Sequence, residues 1–249
     1  MVLSDWKSFL YSSYVSSGHI RRVGESAEEQ LRTRKHFFES IIRDHFPEDR
    51  ETRILDIGCG HGALVHFLRM RGYSKIRGVD GSAEQVELAR RLGIIGVEQA
   101  DAADCLRGCQ SGSVDVIAFF DILEHFTRQE VFDLLIEARR VLAVGGRCIG
   151  HVPNAGGIFG STVRYGDLTH EQAFTPSSIS QMFGALQFGS TVCFEDKPAV
   201  HGVTSLIRRM IWEIGTVPFR VLYAAETVNL NAILSQNLLF VALRESESD

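Results

Sequence analysis

The chain has 249 residues, enough for one large α/β domain or for a core domain with a small attachment. Its composition is 45% hydrophobic and 23% charged, and its net charge of −5 offers no general attraction for nucleic acid or an acidic membrane. No apolar stretch reaches the roughly 18 residues that span a bilayer, and the N-terminus lacks the apolar core of a signal peptide. Five cysteines without paired CxxC spacing favour reduced thiols. We therefore expect a soluble, cytoplasmic protein.

The first 50 residues are predicted to form a helical cap. Residues 1–25 place Trp6, Phe9, Leu10 and Tyr14 at helical spacing. A capping box over residues 26–29 then opens a helix expected to run to residue 46, before a proline. Residues 51–249 would form the main domain, with a helical insertion at about 202–228.

From residue 53 onward, strand and helix patterns alternate. Apolar strands are predicted in "RILDI", "KIRGVD", "GVEQAD", "SVDVIAFF" and "RCIGHVP", with capped helices between them. Gly145 and Gly146 are expected to end the helix before the fifth strand, and a further helix should begin at Thr175–Pro176. Two more strands are expected near 190–195 and 237–244. This alternation predicts a doubly wound, mostly parallel sheet with helices on both sides.

The stretch "LDIGCGHG" runs a strand into Gly58, Gly60 and Gly62, where glycines allow a tight turn and close approach of a ligand. Such loops serve NAD, FAD and S-adenosylmethionine alike. Asp56 favours the last, because a carboxylate there would repel a pyrophosphate but would suit an ammonium and a sulfonium. The G-x-G-x-G spacing also differs from the dinucleotide form.

Two further acids close the next strands. Asp80 could accept the two ribose hydroxyls of an adenosyl group, and Asp101 could meet the adenine amino group. Either acid alone could equally cap the turn that follows it. Three acids at successive strand ends beside one glycine loop favour a cofactor site. Its predicted residues are Asp56, Gly58, Cys59, Gly60, Gly62, Asp80, Gly81, Asp101, Ala102 and Asp121.

The segments "LDIGCGHG", "GVD", "QADAAD", "DVIAFFDILEHF" and "RRVLAVGGRCIGHVPN" resemble the motif series of class I S-adenosylmethionine-dependent methyltransferases. The resemblance covers about residues 50–195. It implies a seven-stranded sheet whose last strand is antiparallel, and "NLLFVALR" fits that strand.

The stretch "DILEHF" places Asp121, Glu124 and His125 where the fourth strand ends, next to the first. One helical turn would bring the three side chains onto one face, as ligands for Mg²⁺, Mn²⁺ or Fe²⁺. His170, in the loop after the fifth strand, is the predicted fourth ligand. Two other interpretations remain open: a metal-free site with His170 or His125 as general base, assisted by Glu124, and a purely structural role.

The pattern resembles that of 3′-terminal small-RNA 2′-O-methyltransferases, in which Glu-x-x-Glu-His and a later His hold a metal. It also resembles ubiquinone-pathway O-methyltransferases, which share Leu-Glu-His. The small-RNA pattern carries over to Asp121, Glu124, His125 and His170, with Asp in place of the first Glu. Both families methylate one of two adjacent hydroxyls, so the resemblance implies O-methylation of a vicinal diol.

The loop "PNA…RYGDLTHEQAFTPSS" and the closing "SQNLLFVA" resemble methyltransferases of bacterial polysaccharide and glycolipid assembly. Arg164, Tyr165 and Asp167 are the predicted substrate-binding residues. The favoured function is O-methylation of a small molecule or glycan. RNA ribose methylation is opposed by the net charge and the lack of a basic stripe. A quinone or phenol acceptor at a membrane surface and a non-catalytic scaffold are further alternatives.

Residues 203–225 carry an amphipathic pattern. One helical stripe is apolar, and Arg208, Arg209 and Glu213 oppose it. The stripe is expected to cover the substrate pocket or to form a homodimer face. Peripheral docking on a membrane that carries a lipid-linked substrate is the alternative.

Overall fold

The computed structural model describes residue 10 and residues 27–246. Within them, seven strands form one mixed sheet in the order β3-β2-β1-β4-β5-β7-β6. Strands β1 to β5 run parallel, and β7 pairs antiparallel with both β5 and β6. The strands are β1 Ile54–Ile57, β2 Ile76–Asp80, β3 Val97–Gln99, β4 Val114–Phe120, β5 Leu142–Pro153, β6 Thr191–Glu195 and β7 Asn237–Leu243.

Helices cover both faces of this sheet. They are α1 Ala27–His45, α2 Ala63–Met70, α3 Ala83–Arg91, α4 Ala102–Gly108, α5 Arg128–Val141, α6 Gly160–Arg164, α7 Pro176–Ala185, α8 Val203–Gly215 and α9 Val217–Thr227. A single 3₁₀ turn, Leu123–His125, follows β4. The predicted doubly wound sheet and its antiparallel last strand are confirmed.

Alternate residues of the central strands pack on opposite sides of the sheet, as strand geometry requires. Val116, Ala118 and Phe120 of β4 join the core beneath α1 and α2, whereas Ile117 and Phe119 join the core beneath α5 and α7. Both faces of β4 are therefore buried, which explains its apolar run from Val116 to Phe120.

One sequence expectation is corrected at helix α5. The glycines Gly145 and Gly146 were expected to end the helix, but α5 ends at Val141 and β5 begins at the next residue. Both glycines therefore lie inside β5, and Gly145 adopts a positive φ of 79° that glycine tolerates without strain. The Thr127 capping box at the start of α5 forms as expected.

Helix α1 ends at His45, one residue before the expected end. The expected capping box of this helix begins with Ser26, which lies outside the described residues. Trp6, Phe9 and Tyr14 of the predicted apolar pattern also lie outside them. The proposed domain boundary at residue 50 falls in the segment between α1 and β1 and stays a prediction.

Helices α8 and α9 turn their apolar side chains outward. The side chains of the α8 stripe are between 46% and 75% exposed: Val203, Leu206, Ile207, Met210, Ile211 and Ile214. The polar side of the pair faces the protein, where Arg209 and Lys197 bind Glu213, and Arg220 binds Glu195. The stripe therefore does not pack on the described core. Dimerisation and membrane docking through it stay predictions, and no helix among the described residues is long and apolar enough to cross a bilayer.

Two neighbouring residues of α5 test how this helix packs against the sheet. Leu135 is fully buried, whereas Ile136 is 51% exposed. We expect Leu135→Ala to lower the free energy of unfolding by about 2–5 kcal/mol, because it leaves a cavity, and Ile136→Ala to lower it by less than about 1 kcal/mol. Urea unfolding of both variants measures the difference. Equal losses would contradict the placement of α5.

Candidate active site

A glycine loop leads from β1 into α2. Gly58, Gly60 and Gly62 have positive φ angles of 70°, 55° and 81°, a region that disfavours other residues. A Cβ at Gly58 would lie 2.5 Å from a side-chain carbon of Ile122, and one at Gly62 would lie 2.6 Å from Val97. These two glycines therefore permit both the turn and its close contact with neighbouring segments.

The carboxylate of Asp80 fixes this loop. One oxygen accepts the Gly60 N–H at 2.8 Å and the other accepts the Ser82 N–H at 2.8 Å. Each oxygen keeps lone pairs for a second donor, so both loop support and the predicted contact with ribose hydroxyls are compatible. Gly81 follows with open space around the position of a Cβ.

The other predicted cofactor residues occupy different surroundings. Asp56 is buried within β1, and burial, together with the nearby Asp80 charge, raises its pKa well above the ordinary range. Its Oδ1 has no hydrogen-bond partner in the part of the chain that the structure describes. Burial also raises the pKa of the adjacent Cys59 thiol. Asp101 caps α4 by accepting the N–H groups of Ala103 and Asp104, and Ala102 is the first residue of that helix.

Glu124, His125 and His170 meet at the carboxyl end of β4. One potential ligand atom from each lies within 4.8 Å of the others. The 3₁₀ turn presents Glu124 and His125, and the backbone of residues 171 and 172 donates to the Glu124 carbonyl, which holds the later loop against the turn. The structure therefore brings three of the four predicted metal ligands together.

The hydrogen bonds of the two histidines fix their tautomers. His170 Nδ1 lies 3.1 Å from the Val163 carbonyl, which can only accept, so Nδ1 carries the proton. Thr169 gives its hydroxyl proton to Asp167 at 2.6 Å and therefore accepts from His125 Nδ1 at 2.8 Å. In the neutral rings, Nε2 of both residues keeps its lone pair. Outer partners of this kind orient metal-binding and proton-accepting imidazoles.

The charges of the cluster are set by its surroundings. Glu124 is buried, and burial, with the Asp121 charge, raises its pKa well above the ordinary range. Among the described residues its Oε2 has no hydrogen-bond partner, and its Oε1 lies 3.9 Å from His170 Nε2. Burial lowers the pKa of His170. The surroundings of the cluster thus favour the protonated form of the Glu124 carboxyl group and the neutral form of the His170 ring.

Asp121 lies outside this cluster, and the predicted shared helical face is corrected here. Its φ of 54° places it before the 3₁₀ turn, which begins at Leu123. Its Oδ1 lies 2.5 Å from His151 Nδ1, and its Oδ2 accepts from Arg34 at 3.2 Å. The described ligand group consists of Glu124, His125 and His170 only.

His151 of β5 is a site residue that the sequence analysis missed. Its two ring nitrogens face two carboxylates, Asp121 at 2.5 Å and Asp196 at 3.3 Å, so both nitrogens donate and the ring is charged. Burial alone would lower the pKa of His151, but the two carboxylates raise it to about 10. The pairing of β4 with β5 sets Phe120 beside His151. This strand register is the feature that could have indicated that His151 lies next to Asp121.

The predicted substrate-binding residues mainly organise their own loop. Arg164 donates to the Glu171 carbonyl, and its guanidinium lies over the ring of Tyr165. The Tyr165 side chain is largely exposed. Asp167 holds Thr169 and, through it, His125. Asp167 therefore acts on the cluster through another residue, and its predicted direct contact with substrate stays untested.

Residues 54–146 match the family model described as a methyltransferase domain. A ubiquinone biosynthesis O-methyltransferase from Neisseria meningitidis serogroup C is 28% identical over 81 residues, which span 30% of this chain and 34% of that relative. The match thus covers about a third of the curated relative.

Solved structures share the fold. A SAM-dependent methyltransferase from Archaeoglobus fulgidus is 21% identical, with a TM-score of 0.64, and covers 86% of this chain and 96% of its own. A SAM-dependent methyltransferase from Thermotoga maritima, described as a possible histamine N-methyltransferase, is 15% identical, with a TM-score of 0.62 over 96% of this chain and 99% of its own.

The charged His151 predicts a pH-dependent stability. Its pKa is raised from 6.5 in the unfolded chain to about 10, so its contribution is fully present below pH 6.5 and is lost as the pH rises through 10. The stability difference between the native protein and His151→Gln should therefore shrink between these values. Urea unfolding at a series of pH values measures it, with His66→Gln on α2 as control. A difference that grows with pH would contradict a charged His151.

The antiparallel last strand, the glycine loop braced by Asp80 and the match over residues 54–146 agree with one another. They confirm the family resemblance carried by the "LDIGCGHG" motif. Residues 54–146 therefore match a methyltransferase domain, and they lie in a fold that the chain shares with SAM-dependent methyltransferases.

Proposed function

We propose that the protein transfers the methyl group of S-adenosylmethionine to a hydroxyl of a small molecule or glycan that carries adjacent hydroxyls. The observation that carries this proposal is the cluster of Glu124, His125 and His170 at the sheet edge that bears the glycine loop. A hydroxyl is a weak nucleophile and needs a proton acceptor or a Lewis acid beside it. The lone pairs of the two Nε2 atoms can meet that need.

The chain's own residues suffice for a balanced transfer. The acceptor oxygen attacks the methyl carbon in line with the sulfonium, the new O–CH₃ bond forms as the S–CH₃ bond breaks, and S-adenosylhomocysteine leaves. The hydroxyl proton passes to Nε2 of His170, which burial keeps neutral at pH 7. The protonated carboxyl of Glu124 can donate to the neighbouring hydroxyl and so hold the diol in register.

The same cluster fits a divalent cation. Two imidazole nitrogens and one carboxylate oxygen converge within 4.8 Å, and the buried Glu124 Oε2 lacks a hydrogen-bond partner. Glu124, His125 and His170 would hold such an ion, which would supply a Lewis acid that lowers the pKa of a bound hydroxyl. The thiol-free donor set suits Mg²⁺, Mn²⁺ or Fe²⁺.

A sugar or glycolipid is the first proposed acceptor, on the resemblance of the loop around residues 153–178. A phenolic diol is the second candidate, because the curated relatives act, by name, in ubiquinone biosynthesis as O-methyltransferases. The net charge of −5 argues against RNA.

The His170→Ala variant tests the role of the cluster. We expect methyl transfer to fall by about 10²–10⁴-fold, because the proton acceptor is lost, while S-adenosylhomocysteine binding stays within about twofold. Labelled S-adenosylmethionine with sugar, glycolipid and catechol acceptors gives the rate, and calorimetry gives the binding. In the native protein the rate should also fall with decreasing pH as His170 becomes protonated below pH 6.5. Full activity of His170→Ala would refute the assignment.

The metal is tested separately, by assaying the native protein with chelator and then with added Mg²⁺, Mn²⁺ or Fe²⁺. Restoration of activity by one cation supports coordination at the cluster. Activity that is insensitive to the chelator removes the metal and leaves His170 as general base. Methylation of RNA 3′ ends, with sugars and catechols inert, would overturn the proposed acceptor class.

A further inference from the structure

Helices α8 and α9 present an apolar face to solvent. The α8 stripe and four side chains of α9 form what we call the α8–α9 surface, and these α9 side chains are 47% to 67% exposed: Val217, Phe219, Val221 and Leu222. The opposite side of α8 meets the protein, where Ser205 and Thr216 are buried. Single exposed apolar residues are ordinary, but such a group on two consecutive helices indicates a binding surface for an apolar partner.

The α8–α9 surface lies at the edge of the sheet that bears the glycine loop. Strand β7 runs antiparallel to both β5 and β6, so β5 and β6 end at the same edge. Helices α8 and α9 connect the end of β6 to the start of β7, and they therefore begin and return at that edge. Asp196, directly after β6, lies 3.3 Å from His151. The Ile158 N–H donates to the Leu234 carbonyl at 2.9 Å, which ties the loop leading to His170 to the segment after α9.

The charge of this segment differs in sign from that of the whole chain. Residues 197–227 contain four Lys or Arg side chains and two Glu, a net charge of +2, whereas the whole chain carries −5. The ion pairs on the inner side neutralise Glu213 and Glu195. Arg208 is exposed and forms no ion pair with any described residue. The segment therefore combines exposed apolar side chains with an available positive charge.

A lipid bilayer suits this surface better than a second copy of the chain does. A twofold dimer brings the same surface of two copies together, so two segments of charge +2 would face each other. An interfacial helix instead inserts its apolar side chains among acyl chains, and anionic headgroups attract its basic residues. Helix α8, with 13 residues, is about 20 Å long and can lie in the plane of a membrane.

We propose that the α8–α9 surface docks the protein on an anionic lipid bilayer, with the glycine-loop edge of the sheet beside the membrane. Ile207, Ile211 and Ile214 insert among the acyl chains, and Arg208 lies at the level of the headgroups. The proposal goes beyond the proposed function, because docking requires no methyl transfer. Together with that function, it places the candidate active site where a lipid-linked acceptor meets it.

Vesicle flotation tests the docking with the full chain. Vesicles of phosphatidylcholine alone are compared with vesicles of phosphatidylcholine and phosphatidylglycerol in equal parts. We expect the native protein to bind the mixed vesicles more tightly, and added salt to weaken that binding. Ile211→Glu with Ile214→Glu should weaken it about tenfold or more, because two exposed apolar side chains become anions. Arg208→Gln should weaken binding to the mixed vesicles about fivefold and leave binding to phosphatidylcholine unchanged.

A matched control adds the same two charges elsewhere. Ile95, before β3, and Val144, near the start of β5, are 74% and 65% exposed. Ile95→Glu with Val144→Glu should therefore bind the mixed vesicles within about twofold of the native protein. Urea unfolding shows whether each variant is folded, and Arg208→Gln stands as an independent test if the double variant on α8 is not.

Three results would overturn the docking. They are failure of the native protein to bind the mixed vesicles, equal loss of binding in the two double variants, and a native dimer, seen by sedimentation velocity, that Ile211→Glu with Ile214→Glu dissociates while vesicle binding stays unchanged. The last result assigns the α8–α9 surface to a second copy of the chain. None of these measurements depends on methyl transfer, so the proposed function is judged by its own assays.

Discussion

The bond between His151 and Asp121 is the interaction on which the described site depends. It lies where β4 and β5 end side by side, and it brings a charged imidazole against a carboxylate at 2.5 Å. The His151 side chain is buried, so the neighbouring Asp121 carboxylate offsets the cost of burying its charge. The pair holds Asp121 in a left-handed conformation, and that conformation starts the turn that presents Glu124 and His125.

The same pair divides the sheet edge into two electrostatic regions. On the glycine-loop side, Asp121 stays ionised because, although burial opposes it, His151 and Arg34 hold its pKa well below the ordinary range. On the side of the loop that carries His170, burial and the Asp121 charge raise the pKa of Glu124. Neighbouring acids with pKa values pushed apart are typical of sites that move protons. A charged region around Asp121 and a neutral, proton-accepting region around His170 thus lie at the same edge of the sheet.

Much of this arrangement was predictable from local sequence. The glycine spacing predicted the loop, and the apolar run of β4 placed Glu124 and His125 at the carboxyl end of a buried strand. Asp80 was predicted as a ribose ligand, and its support of the loop through the Gly60 N–H appears only in the structure. His170 was predicted because the fifth strand had to lie beside the fourth. These inferences rest on periodicity and on the rule that parallel strands end at one edge.

The residues that were missed come from distant elements. Arg34 on α1, His151 inside β5 and Asp196 after β6 reach Asp121 only through tertiary packing and strand register, and no local pattern distinguishes them. The expected helical face failed at Asp121 for the same reason, because its bonds to His151 and Arg34 accompany a backbone conformation that helical periodicity does not anticipate. Helices α8 and α9 were predicted as an amphipathic segment, but which side faces the protein depended on ion pairs with Lys197 and Glu195.

A crystal structure of the native protein with S-adenosylhomocysteine tests the account most directly. We expect the ribose hydroxyls to lie within hydrogen-bond distance of the Asp80 carboxylate and the sulfur to face His125 and His170. A ligand whose ribose lies away from Asp80, or whose sulfur faces away from His125 and His170, would contradict it.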